Sequence, residues 1–287
     1  MPIQLIADSG ATKCEWCLVK DGTMKTVYTT GISPYFLTEQ QIVDLLRDDL
    51  LPQLDSVEVE EIYFYGTGLG NPKNMSTIIS ALKTIFPAAV IDANTDLLAA
   101  ARALCGNEKG MVCILGTGSN SCYYNGKEIA KNIASLGYVL GDEGSGAHLG
   151  KKVIQYYLYN TFDEDLKSKF DAKFGTTYIE IMENVYKRPF PNRYLAAFAA
   201  FLSENRGHYM VENIVEDGLN DFFFNHLNKY GESWTLPVNF AGGVAFAFKD
   251  VIQELCDSYH LELGTIFKAP MEGLVRFHSI STAKHIQ

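Results

Sequence analysis

The first thirty positions alternate between apolar and polar residues, with short polar turns between the alternating stretches. Period-two patterning is typical of half-buried strands, and the turns fall where hairpins would reverse the chain. The pattern therefore predicts a three-stranded antiparallel meander over Ile3 to Ala7, Cys14 to Val19 and Lys25 to Thr30.

Helical spacing then alternates with short strands. Thr38 to Gln41 has the form of a capping box, and it predicts a helix that runs to about Leu51. An Ala-rich helix is predicted from Asp96 to Leu104, with Asn94 or Thr95 as its N-cap. Between these helices the pattern predicts a strand Glu61 to Tyr65, a helix from about Lys73 to Phe86, and a strand Ala88 to Asp92.

The opening pattern returns with a strand Met111 to Leu115, a glycine-rich turn and a second strand that runs through Tyr124. Two such hairpins indicate two related α/β domains that face each other across a cleft. Helical periodicity fills residues 163–229, with residues 194–202 as one buried helix, and we interpret this region as an insertion in the second domain. The pattern ends with a strand Val238 to Ala241, a helix to about Tyr259, a strand Thr265 to Ala269 and a last helix.

Composition limits the classes of function. A chain of 287 residues with 47% apolar and 20% charged residues is long enough for two folded domains. The net charge of −10 argues against a nucleic-acid surface, which would need clustered Lys and Arg. Six cysteines in mainly apolar stretches, and an N-terminus unlike a signal peptide, predict a cytoplasmic protein. Since no apolar run reaches the ~18 residues of a membrane span, no membrane association is expected.

Cys14 and Cys17 have the spacing of a metal or redox pair, but they lie in a predicted strand. Residues three apart in a strand point to opposite faces of the sheet, so the two thiols would not converge on one ion. We therefore expect core cysteines.

Two turns carry small residues at the ends of strands. Residues 8–13 place Asp8 before such a turn, where backbone N–H groups can cradle phosphate and the carboxylate can hold Mg²⁺. Residues 115–120 supply a second turn, with the hydroxyls of Thr117 and Ser119 as extra donors. An ordinary hairpin turn explains either segment as well, and neither has the spacing of a Walker A loop or a dinucleotide fingerprint.

Three further segments have both a structural and a functional interpretation. Residues 141–146 place Asp142 among glycines, where it could bind sugar hydroxyls, or Asp142 or Ser145 could cap the following helix. Asp96 could act as a base or stabilise a helix dipole, and Asp92 competes for the first role. Residues 241–246 could support a nucleotide on bare backbone or form a plain strand-to-helix turn.

With these motifs in this order, the chain resembles the N-acetylglucosamine kinase and BadF/BadG-type ATPase family, within the actin-like ATPase superfamily. The resemblance spans nearly the whole chain and is most specific at residues 115–120 and 141–145. It implies two actin-like, ribonuclease H-like α/β domains with a central cleft and a helical insertion in the second. The expected domains are residues 1–108, completed by the helix 271–287, and residues 109–270.

The resemblance also implies a role for each matching residue. Asp96 would be the catalytic base, and Asp8 would hold the metal ion. The expected binding residues are Ser9, Gly10, Thr12, Lys13, Gly116, Thr117 and Gly118 for the ATP phosphates, Gly242 and Gly243 for adenosine, and Thr117, Gly137, Asp142 and Gly146 for the sugar.

The implied reaction transfers the γ-phosphoryl group of ATP, with Mg²⁺, to a hydroxyl of an amino sugar such as N-acetylglucosamine, with O6 as the expected position. ATP and a small sugar are the expected partners, and a homodimer is left open. Two segments depart from the family pattern, Gly31 to Tyr35 and Gly66 to Gly68, and both would line the sugar pocket. The identity of the sugar is therefore open.

Two rival functions are considered. A BadF-type activator would need thiolates presented together for an iron–sulfur cluster, and Cys105 and Cys113 flank the predicted domain junction. Cys113 lies in an apolar strand, which argues against that role. A catalytically silent sugar sensor would keep the cleft without turnover, but the chain retains Asp96 and carries no helix-turn-helix segment.

Overall fold

The computed structural model describes residues 2–10 and 13–284. They form two compact units, one from the described residues up to 107 together with 270–284 and the other from residues 108–269. Each unit contains one five-stranded mixed sheet.

The sheet of the first unit has the strand order β3-β2-β1-β4-β5. Its first three strands form the predicted antiparallel meander, and β4 and β5 are added in parallel to β1. The strands are β1 (Gln4–Ser9), β2 (Lys13–Lys20), β3 (Thr23–Thr30), β4 (Glu61–Gly66) and β5 (Val90–Thr95).

The helices of the first unit are α1 (Glu39–Leu45), α2 (Pro72–Ile85), α3 (Asp96–Cys105) and α13 (Met271–Lys284). A π-helical turn (Leu46–Leu50) and a 3₁₀ turn (Leu51–Leu54) continue from α1. The predicted capping box is present, since the Thr38 hydroxyl accepts from the Gln41 amide while the Gln41 side chain accepts from the Thr38 amide. Cys14 and Cys17 belong to different hydrophobic clusters, as their spacing on one strand predicts.

The second unit repeats the arrangement, with the strand order β10-β9-β6-β7-β8. Its strands are β6 (Gly110–Leu115), β7 (Ser119–Tyr124), β8 (Ile129–Ile133), β9 (Val238–Ala241) and β10 (Leu263–Phe267). Its helices are α4 (Gly137–Leu140), α5 (Gly146–Leu158), α6 (Glu164–Phe174), α7 (Tyr178–Tyr186), α8 (Pro191–Ala197), α9 (Ala199–Glu204), α10 (Tyr209–Asn225), α11 (Gly243–Ala247) and α12 (Lys249–Ser258), with 3₁₀ turns at Leu227–Lys229 and Gly231–Trp234.

Several predicted element boundaries were wrong. The predicted helix that runs to about Tyr259 is divided into α11 and α12 at Phe248. β5 ends at Thr95 rather than Asp92, because it stays paired with β4 up to Gly66. β10 begins two residues early and bulges after Leu263, where the Asn239 side chain accepts a hydrogen bond from the Thr265 amide at 2.9 Å.

The predicted helix over residues 194–202 is divided into α8 and α9 at Phe198. The Phe198 amide donates to the Leu195 carbonyl, and the Phe198 carbonyl accepts from the Phe201 amide, each at 3.1 Å. These i to i+3 bonds tighten the turn and redirect the helix axis. The Phe198 ring then packs against Phe170 and Phe174 in the core.

Helix α13 is anchored to the first sheet by His278. The His278 ring stacks on Tyr63 with 3.6 Å between ring centroids, and its Nε2 lies 2.9 Å from the Tyr65 hydroxyl. Arg102 of α3 donates to the same hydroxyl at 2.7 Å. Burial, and secondarily the Arg102 charge, lower the pKa of His278 to about 3, so the ring stays neutral in the folded protein.

This buried imidazole predicts a loss of stability in acid. Below the ordinary histidine pKa of 6.5 the unfolded chain gains a proton that folded His278 does not bind until about pH 3, so stability falls as the pH falls through this range. His278→Gln keeps a hydrogen-bonding group but cannot be protonated. The acid penalty at pH 4.5 should therefore shrink by about 2 kcal/mol, as measured by urea unfolding between pH 4.5 and 8. His260→Asn, at an exposed histidine, is the control and should keep the wild-type slope.

Candidate active site

Three strands of the first unit end side by side at one edge of its sheet. Ser9 at the end of β1 lies opposite Gly66 of β4, and Gly66 lies opposite Thr95 of β5. Asp96 follows as the first residue of α3, and the Thr95 hydroxyl caps this helix by accepting from the Leu98 amide at 3.2 Å. Parallel pairing therefore brings residues from three separate segments to the same edge.

Two carboxylates of this edge influence each other electrostatically. Burial, followed by the negative charge of Asp96, raises the pKa of Asp8 to about 7. Burial also raises the pKa of Asp96, although its carboxylate accepts a hydrogen bond from the Leu97 amide at 2.8 Å. Such a pair favours a proton or a cation nearby, because either one would relieve the repulsion.

Mg²⁺ would fit this edge if a carboxylate of the protein and a bound phosphate both coordinated it. Within residues 2–10 and 13–284, no group of three or more His, Cys, Asp or Glu side chains could hold a metal ion. Mg²⁺ commonly uses only one or two carboxylates and completes its coordination with phosphates and water. A single carboxylate such as Asp8 is thus compatible with a Mg²⁺ ion whose other ligands are phosphate and water.

The turn after β1 is less accessible to a ligand than its sequence implies. The Ser9 side chain is fully buried, and its Oγ accepts from the Ile32 amide at 2.9 Å and donates to the Ile32 carbonyl at 3.0 Å. Ser9 can thus reach phosphate only through its main chain. The Gly10 amide donates to the Lys13 carbonyl at 3.1 Å, and the Lys13 ammonium lies 3.6 Å from the centroid of the Tyr28 ring. Thr12 lies outside the described residues.

The two segments that depart from the family pattern contact each other. Gly68 has a φ of +81°, and a Cβ atom there would lie 2.4 Å from Cε2 of Tyr35. The Tyr35 ring therefore packs directly against the bare backbone of Gly68 while it stays 63% exposed. The Thr67 amide donates to the Ser9 carbonyl at 3.3 Å, which connects these segments to the turn after β1.

The turn between β6 and β7 is fixed to the start of α5. The Gly116 carbonyl accepts from the Gly146 amide at 2.8 Å, and the Thr117 carbonyl accepts from the Ala147 amide at 3.0 Å. The structure thus brings together Gly116, Thr117 and Gly146. The resemblance assigned Gly116 to phosphate, Gly146 to the sugar and Thr117 to both. Of the two extra hydroxyls, that of Ser119 is buried and has no hydrogen-bond partner among the described residues.

Asp142 orients this turn instead of capping α5. Its Oδ1 accepts from the Ser119 amide at 3.3 Å and from the Ser135 hydroxyl at 3.0 Å. Ser145 is the N-cap, since its hydroxyl accepts from the His148 amide at 3.1 Å. Of the two predicted capping residues, only Ser145 caps the helix, whereas Asp142 holds the turn through Ser119 and Ser135. Gly137 begins α4, where its carbonyl accepts from the Gly141 amide at 2.8 Å.

A buried polar chain that sequence reasoning missed lies behind Asp142. The Glu143 carboxylate lies 3.4 Å from Nε2 of His226, and Nδ1 of His226 lies 3.3 Å from the Ser121 hydroxyl. Ser121 in turn lies 2.9 Å from the Tyr230 hydroxyl, which accepts from the Ile133 amide at 2.7 Å. The members of this hydrogen-bonded network are spread over residues 121–230 of the sequence, so no local motif could reveal it.

Gly242 and Gly243 have different local environments. Gly242 has a φ of +121°, and a Cβ atom would lie 2.3 Å from the Leu115 carbonyl oxygen. Gly243 has open space at the same position. Only Gly242 is therefore required for β9 to turn close to the end of β6.

A pocket of about 490 Å³ opens beside these glycines within the second unit. Its lining combines main chain with small apolar side chains, and includes Gly116, Thr117, Gly146, Ala196, Ala199, Ala200, Ser203, Gly243, Val244, Ala247 and Phe248. The turn between β6 and β7 and the second glycine of the 242–243 pair therefore share one cavity.

The environments of the two glycines predict a difference in stability. Gly242→Ala should lower the free energy of unfolding by about 1–3 kcal/mol or more, because the new methyl group overlaps the Leu115 carbonyl and the φ angle is unfavourable. Gly243→Ala should unfold at nearly the wild-type urea concentration. Equal effects of the two substitutions would contradict the close approach of residue 242 to the Leu115 carbonyl.

Comparisons with known proteins give three informative similarities. A crystal structure of a candidate N-acetylglucosamine kinase from Porphyromonas gingivalis is 39% identical, covers 97% of this chain and 98% of that one, and has a TM-score of 0.92. A candidate N-acetylglucosamine kinase from Chromobacterium violaceum is 18% identical over 96% of this chain and 99% of that one, with a TM-score of 0.70. A ROK-family glucokinase from Streptomyces griseus, in complex with glucose and AMPPNP, is 14% identical over 97% and 98%, with a TM-score of 0.59.

The two more distant structures share the fold, whereas the first is similar enough to assign a family. No family model matches the sequence, and no curated protein matches it. Among the helices of residues 2–10 and 13–284, none is both long and apolar enough to cross a membrane.

Proposed function

Since the chain belongs to the actin-like sugar kinase family that includes the N-acetylglucosamine kinases, we propose that it transfers the γ-phosphoryl group of ATP to a hydroxyl of an amino sugar. Both the sugar, N-acetylglucosamine or a relative, and the position, O6, belong to this proposal. The observation that carries it is the position of Asp96, which begins α3 at the strand edge that also holds Asp8.

Asp96 is suited to accept the proton of the attacking hydroxyl. Burial raises its pKa, and a carboxylate with a raised pKa binds a proton more readily than an ordinary aspartate does. The Thr95 cap and the Leu97 amide hold the start of the helix and the carboxylate in place. Phosphoryl transfer depends mainly on such positioning and on charge stabilisation.

Each unit would contribute one phosphate-binding segment. In the first unit, Ser9, through its main chain, would contact phosphate together with Gly10, Thr12 and Lys13, while Asp8 would hold Mg²⁺. The ion, when bound, would neutralise phosphate charge. In the second unit, Gly116, Thr117 and Gly118 would contact phosphate, and Gly242 and Gly243 would lie against adenosine.

The sugar would be bound by Thr117, Gly137, Asp142 and Gly146. Asp142 supports this role because only its Oδ1 is engaged by Ser119 and Ser135, which leaves Oδ2 able to accept a bond from a hydroxyl. The packing of Tyr35 on Gly68 supports a change in acceptor preference relative to the family pattern.

We propose that the protein acts in the cytoplasm.

A BadF-type activator is less well supported. Cys113 is fully buried in β6, and burial raises the pKa of the Cys105 thiol to about 11. Both features disfavour the exposed thiolates that a cluster shared between subunits would need.

Asp96→Asn tests the assignment of the base. The amide keeps the shape of the carboxylate but accepts no proton, so kcat should fall by roughly 10²–10⁴-fold while the KM values for ATP and sugar stay near wild type. A coupled assay for ADP release gives these constants. Asp92→Asn is the matched control on the preceding strand, and its half-exposed carboxylate pairs with Arg102 at 3.4 Å. If Asp92→Asn lost more activity than Asp96→Asn, the assignment would be reversed.

The acceptor is tested with a sugar panel. The panel contains N-acetylglucosamine, glucosamine, N-acetylmannosamine and N-acetylmuramic acid, each with Mg²⁺ and ATP, and NMR of the product locates the phosphate. We expect turnover with at least one amino sugar and none without Mg²⁺. Sugar binding without turnover in every case would favour a silent sensor.

A further inference from the structure

The pocket in the second unit lacks the side chains that usually distinguish one purine from another. Among the described residues that line it, none carries a carboxylate, a carboxamide, an imidazole or a cationic group. The side-chain polar groups are the hydroxyls of Thr117 and Ser203. Apart from Thr117 and Gly146, which we assign to the sugar, this lining offers few partners for sugar hydroxyls, but it suits a flat heteroaromatic ring.

Ser203 carries a pocket hydroxyl that could contact a base, but its proton is already donated to a main-chain carbonyl. Ser203 donates to the Ala200 carbonyl at 2.9 Å, so in this state its oxygen can only accept a bond. Adenine presents an N–H donor at position 6, where guanine and hypoxanthine present a carbonyl acceptor. A serine hydroxyl can accept from the first or rotate away from Ala200 and donate to the second, so it would not separate them. Thr117 belongs to the turn between β6 and β7, and its carbonyl accepts a hydrogen bond from the Ala147 amide at 3.0 Å.

The walls of the pocket are fixed before a ligand binds. Phe248 is only 1% exposed, and its amide donates to the Val244 carbonyl at 3.1 Å. Arg206, whose guanidinium lies 5.6 Å from the Phe248 ring, is held by Glu212 and Asp250. A preformed apolar pocket selects by shape and by buried area.

We propose that this pocket recognises the nucleotide base by its shape and by the surface it buries, with no side chain that reads one purine against another, so that the enzyme uses GTP and ITP nearly as well as ATP. The inference rests on the proposed kinase function and specifies its nucleotide substrate as a purine triphosphate. Apolar pockets discriminate between near-isosteric ligands by only about 10–200-fold, whereas sites built on hydrogen bonds reach about 10⁴–10⁵-fold. Pyrimidine triphosphates bury less surface and should be poorer substrates.

The test compares nucleotides directly on the wild-type protein. Dissociation constants for ATP, GTP, ITP and UTP are measured by calorimetry with Mg²⁺, and kcat/KM for each is measured with the best sugar of the panel. We expect the three purine nucleotides to agree within about 100-fold in both measurements. A preference for ATP over GTP of more than about 10³-fold would overturn the inference.

The outcomes separate this inference from the proposed function. If the purine nucleotides bind alike but no sugar is phosphorylated, the kinase proposal fails and the base inference stands. If ATP alone binds and supports turnover, the kinase proposal stands and the base inference fails. If no nucleotide binds, both fail.

A pair of variants identifies the pocket as the site. Ala200 lines the pocket on α9 and is exposed, so Ala200→Leu should fold normally and fill part of the cavity. It should raise the KM of every purine nucleotide by about tenfold or more and leave the sugar KM unchanged. Ala172→Leu, at an exposed helical alanine of α6, is the control. Wild-type nucleotide constants in Ala200→Leu would place the base elsewhere.

Discussion

The second unit depends on the close approach of three backbone segments around the end of β6. The Leu115 carbonyl lies where a side chain at position 242 would be, and the next two carbonyls accept hydrogen bonds from the first two amides of α5. Such an approach is possible only without a Cβ atom at position 242. It places the 116–118 turn, the start of α5 and the turn after β9 around one cavity, and so it fixes the site that we assign to the nucleotide.

The first unit has a different constraint, which is the burial of negative charge. Burial raises the pKa of both Asp8 and Asp96, and the charge of Asp96 raises that of Asp8 further, so keeping both carboxylates ionised opposes folding. Apolar residues would stabilise this edge of the sheet more. Buried carboxylates with raised pKa values are typical of functional sites, and a cation or a proton would relieve the repulsion at this edge.

Much of the fold was predictable because its signals are local. Alternation, the capping box at Thr38 and the turn glycines specified most strands and helices, and the α/β prediction with two actin-like sheets is confirmed. The failures share a physical cause. The break at Phe198 depends on packing against Phe170 and Phe174, and the bulge in β10 depends on the Asn239 side chain of the neighbouring strand. The hydrogen-bonded network that connects Glu143 with Tyr230 likewise joins residues far apart in sequence.

The candidate site, like the fold, was predictable from the sequence only in part. Motifs identified which segments carry chemistry, but only the structure shows which atoms remain available. Ser9 shows the difference, because its hydroxyl, a natural phosphate donor, is fully engaged by Ile32. That engagement ties the turn after β1 to the segment that ends with Tyr35, and Tyr35 in turn packs on Gly68. A change in this segment would therefore disturb the turn after β1 and the packing around Gly68 together, because the Ser9 hydroxyl connects the two.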